Sequence, residues 1–91
     1  MSGPVNLIEI AETHKQAAVA LADAVFPSLQ GMAGEEQTAE LNIAAVGLRD
    51  AVRHLCFDRG LDLHDADAMA EIAFRAFDAR LDRLYGIGGA A

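Results

Sequence analysis

Apolar residues recur at three- and four-residue steps along three stretches of the chain, which is the spacing of one face of a helix. In the first stretch Leu7, Ala11, His14, Ala18, Leu21 and Val25 form a single stripe, predicting a helix over about 5–26. Asn6 stands where a cap belongs, with Glu9 three residues on in the manner of a capping box. Pro27 ends the predicted helix, because a residue preceding proline is pushed out of the α region. "PSLQGMAG" then reads as a loop between Pro27 and Gly34.

The second stretch carries Leu41, Ala44, Leu48, Ala51, Leu55 and Asp58 at heptad-like steps, with Ala45 and Val52 beside them. It predicts a helix over about 35–59. Glu35, Glu36 and Glu40 fall in its first turns, where the helix dipole favours anions. Arg59-Gly60 closes it with a cation and then the residue best suited to a left-handed cap. In the third stretch Ala70, Phe74, Phe77, Leu81 and Leu84 make the stripe of a helix over about 66–85, and Gly86 ends it.

Three helices of about twenty residues joined by short loops predict an all-α, up-down-up bundle with shallow crossings near 20°. The whole chain, 1–91, forms one domain, with 1–4 and 87–91 as loose termini. Composition strengthens this expectation. Ala, the best helix former, supplies much of the apolar content, and there is no Trp and only one Tyr.

Charge changes the picture of partners. Fourteen acids against seven bases leave a net charge of −7, a field that repels duplex DNA and anionic membrane surfaces. Direct nucleic-acid binding and membrane binding are therefore not expected. Cys56 is the single cysteine, so no intrachain disulfide forms, which fits a reducing cytoplasm. No apolar run approaches the roughly 18 residues that a membrane span needs, and "MSGPVNL" has no basic region of the kind that opens a secretion signal. The expected location is the cytoplasm.

The run "HLCFDRGLDLHDAD", from His54 to Asp67, holds the densest candidate chemistry. A metal site would draw on His54 and Asp58, four apart on one helical face, with His64 and Asp65 from the next helix; such ligands suit Zn, Mn or Fe(II). Each residue also has a structural role in a helix junction. Gly60 caps, Leu61 and Leu63 plug the turn, and Asp62, Asp65 and Asp67 supply N-terminal charge. The spacing matches no established metal signature, so the junction is the favoured reading and no cofactor is implied. His14 lies on the apolar stripe of the first helix, where it serves as a core residue or a pH-sensitive switch. Ser2 and Ser28 are the only serines, and neither is placed beside a base, so nucleophilic catalysis is not expected.

What exceeds the needs of a monomer is apolar surplus. Of the twenty-five residues between Glu35 and Arg59 twelve are apolar, whereas a core-facing helix needs only about three in seven. Ile43, Val46 and Phe57 fall off the main stripe of the second helix. Ile8, Val19 and Phe26 do the same on the first. Ala44, Gly47 and Ala51 form a small-residue patch suited to close approach by another helix. These features predict a non-enzymatic, acidic helical module that binds protein, above all a second copy of itself, through the surplus face of the second helix. The alternative is an acidic regulator or inhibitor that occupies a basic site on a partner, such as one made for nucleic acid.

Overall fold

A computed structural model describes residues 6–86, so the predicted loose termini, 1–4 and 87–91, lie outside the described residues. Three helices account for nearly all of that span: α1 (Leu7–Gln30), α2 (Gly34–Asp58) and α3 (Leu63–Tyr85). The all-α bundle expected from periodicity is what forms. Cross-links between side chains give the directions. Asp23 meets Arg80 and Phe26 meets Tyr85, so α1 and α3 run parallel. Arg53 meets Asp67 and Arg49 meets Glu71, so α2 runs antiparallel to α3. Among the described residues no helix is long and apolar enough to cross a membrane.

Helix α3 is the centre of the bundle. Both α1 and α2 pack against it, and they touch each other only sparsely. The buried core follows from this. Ala66, Met69, Ala70, Ala73, Phe77 and Leu81 of α3 are buried, with Ile10, Ala18, Ala22 and Leu29 of α1 and Leu48, Val52 and Cys56 of α2. The fully enclosed alanines all lie on α1 and α3, where a missing side chain lets two helices approach closely. The small-residue patch expected on α2 receives no helix of this chain at Gly47. Among the described residues nothing lies within 4 Å of a Cβ built there, and Ala51 is exposed, while Ala44 is half-buried against the core.

Two boundaries differ from the pattern-based expectation. Helix α1 does not stop at Pro27 but runs through it to Gln30. A proline inside a helix costs about 3 kcal/mol, chiefly through a lost hydrogen bond and a clash one turn back. Here Pro27 and Asp23 are both exposed, so water can take the carbonyl that proline leaves unpartnered. Beyond it Leu29 is buried, worth about 1.5–3 kcal/mol, and Gln37 Nε2 donates to the Leu29 carbonyl at 2.8 Å. Tertiary packing carries the helix past its breaker.

Helix α3 starts three residues earlier than expected. Asp62 is its cap, accepting the Asp65 backbone N–H at 2.8 Å. The preceding turn leaves α2 through Gly60 at φ +88°, with Leu61 N–H donating to the Cys56 carbonyl and Gly60 N–H to the Phe57 carbonyl. That pair of bonds is the Schellman arrangement, which needs a left-handed residue and hence glycine. Leu61 is buried as the plug of this turn. Leu63, expected to share that role, is 62% exposed.

Candidate functional site

Among the described residues seven large apolar side chains remain exposed: Leu7, Ile8, Ile43, Val46, Leu55, Phe57 and Leu63. Scattered exposed apolar residues are ordinary, and a cluster is what signals contact with something else. The topology brings five of them to one end. Parallel α1 and α3 place their N-termini at the end of the bundle where antiparallel α2 finishes. Leu7 and Ile8 from α1, Leu55 and Phe57 from α2, and Leu63 from α3 therefore share that end, with Leu55 and Phe57 on different sides of α2. His54, Asp58, Arg59, Asp62 and His64, all exposed, lie at the same end.

The expected interface set is divided by this geometry. Ile8, at 79% exposed, is uncovered, as are Ile43 at 65% and Val46. Phe57 is exposed too, but it lies eleven residues beyond Val46, about 16 Å along the helix axis. It belongs with the bundle end and not with Ile43 and Val46. Val19 and Phe26 are half-buried within the chain, and the Phe26 ring meets Tyr85 edge-on with centroids 4.9 Å apart. Leu7 and Leu55, both assigned to core stripes by their spacing, turn out to be exposed. On α2 the buried line steps by four from Leu48 to Val52 to Cys56, which rotates Leu55 and Ala51 outward. That four-residue alternative was present in the pattern.

Beneath this end sits a buried histidine–cysteine pair. His14 Nε2 lies 3.9 Å from Cys56 Sγ, and both side chains are buried. Loss of hydration holds the imidazole below its usual titration range, and the nearby Arg59 charge adds to the effect. The same burial pushes the thiol up, with Arg59 opposing. Each group is thus favoured in its neutral form, which is the packing chemistry of a core pair and the reverse of what activates a thiolate.

The metal candidates are not gathered. His54, Asp58 and His64 project from the surface, and Asp65 is engaged through its backbone with Asp62. Among the described residues no three His, Cys, Asp or Glu side chains are grouped so as to hold an ion.

A second feature escaped pattern reading because no single helix contains it. A groove of about 500 Å³ runs between α2 and α3, with Leu41, Ala45, Phe77 and Leu81 among its lining residues. Arg49 lies along it with its guanidinium 4.1 Å from the Phe74 ring centroid and Nη2 3.1 Å from Glu71. Among the described residues the buried Arg49 Nε and Tyr85 hydroxyl find no hydrogen-bond partner. Asp78 and Asp82, four apart on α3, also line the groove.

The chain matches no known family, no curated protein and no solved structure.

Proposed function

We propose that this protein is a helical interaction module that associates with a second copy of itself through the apolar end of the bundle. The supporting observation is that Leu7, Ile8, Leu55, Phe57 and Leu63 are all exposed at one end of the bundle, with exposed polar and charged side chains at the same end. An apolar centre with a polar rim is the anatomy of a protein interface. A second copy fits because the contact is made through apolar side chains, while the −7 charge of each chain is spread over surfaces that water and salt screen. Five large apolar side chains from each copy are fewer than the core-sized interface of an obligate dimer uses, so the association is reversible and depends on concentration.

Sedimentation equilibrium from micromolar to submillimolar concentration tests this. The expected result is a monomer–dimer equilibrium that Leu55→Asp with Phe57→Asp shifts to monomer. The companion pair Ile43→Asp with Val46→Asp, on the outer face of α2, should leave the equilibrium in place. A wild-type chain that stays monomeric throughout removes the proposal. A shift caused by the second pair alone moves the interface to the middle of α2.

A further inference from the structure

We propose that the groove between α2 and α3 receives an amphipathic helix with a basic flank, carried by a protein other than this chain. This surface is separate from the bundle end and does not depend on self-association. Leu41, Ala45, Phe77 and Leu81 give the groove an apolar lining. From Phe74 to Tyr85 it follows α3 for eleven residues, about 16 Å, which matches three turns of a docked helix. Helices are read by grooves of this kind through apolar anchors at three- and four-residue steps.

Charge selects the occupant. Arg49 is paired with Glu71 and stacked on Phe74, and Arg53 is shared between Asp50 and Asp67. Among the described residues Asp78 and Asp82 have no such partner, although Arg75 stands one turn before Asp78 on the same helix. The flank of the groove therefore keeps an excess of negative charge, on a chain that is negative overall. Lysine or arginine on the incoming helix would meet the two carboxylates. A second copy suits this acidic flank poorly. Of its seven bases Lys15, Arg49, Arg53 and Arg80 are engaged with its own acids, and Arg59, Arg75 and Arg83 stand among a larger number of carboxylates. At the two ends of the groove the unpartnered Arg49 Nε–H and Tyr85 O–H offer donors that a small side-chain movement would turn toward the polar groups of a ligand.

The probe is a fluorescein-labelled, helix-forming peptide with leucines on one face and lysines on the flank, compared with the same peptide carrying glutamates for lysines. Fluorescence anisotropy should show the lysine peptide binding, with affinity falling steeply as salt rises, and the glutamate peptide failing to bind. Asp78→Asn with Asp82→Asn should weaken the lysine peptide about tenfold while leaving the melting temperature unchanged. Glu9→Gln with Glu12→Gln removes the same charge from α1, away from the groove, and should leave binding as it was. Equal losses from both double variants would reduce the effect to general attraction and overturn the proposal. So would equal binding of the two peptides, or no binding of the lysine peptide at low salt.

Discussion

Helices α2 and α3 are almost equal in length, at 25 and 23 residues, yet α3 buries six side chains and α2 only three. The difference lies in their neighbours. Helix α3 is flanked by two others and buries a broad stripe, whereas α2 has one main contact and buries a narrow one. Apolar residues off that narrow stripe, such as Ile43, Val46 and Leu55, are left in water whatever their chemistry. Counting apolar residues on a helix measures what it could bury. The number of helices around it decides what it does bury.

The largest expected effect is at the centre of α3. Phe77→Ala should destabilise the fold by about 3–5 kcal/mol, a large part of the roughly 5–15 kcal/mol that holds a small domain, and Ile43→Ala on α2 should stay within about 0.5 kcal/mol. Urea unfolding of both variants measures the contrast; similar losses would mean that α2 is as enclosed as α3. Overpacking gives the next effect. Ala70→Leu should cost about 1–3 kcal/mol, while Ala51→Leu, on the exposed side of α2, should be near neutral in the same measurement.

The contact between α1 and α2 is probed by pH. His14 is buried with its affinity for a proton lowered below the usual 6.5. The unfolded chain therefore binds that proton first as pH falls through 6.5, and stability drops on the acid side of this value. Above it the imidazole is neutral in both states and the term vanishes. Melting temperatures taken on both sides of 6.5 should show the drop, and His14→Leu should flatten that part of the profile. The smallest expected effect is a gain. Gly47→Ala meets no neighbour and should stabilise the protein by about 0.5–1 kcal/mol, seen as a raised melting temperature.

Local signals read well where the physics is local. Asn6 accepts from the Glu9 N–H as the cap pattern implies, and Gly60 and Gly86 take left-handed conformations at the ends of their helices. Signals failed where distant contacts compete with them. Pro27 was a sound stop by propensity and was overridden by the burial of Leu29 and the hydrogen bond from Gln37. On α2 the steps Leu48–Ala51–Leu55 and Leu48–Val52–Cys56 are both helical, and only the position of α3 selects the second. The interface candidates split for the same reason. Ile8, Ile43, Val46 and Phe57 are exposed, Val19 is half-buried, Phe26 packs against Tyr85, and the groove needed two helices to exist at all.

The amino-acid order alone determined that there are three helices and where glycine and asparagine terminate them, since each of these depends on residues a few positions apart. Only the tertiary structure decided that α3 is the middle helix, which face of α2 is enclosed, and that leucines, an isoleucine and a phenylalanine stand exposed at one end. Those outcomes depend on which surfaces exclude water together, and residues dozens of positions apart share in that choice.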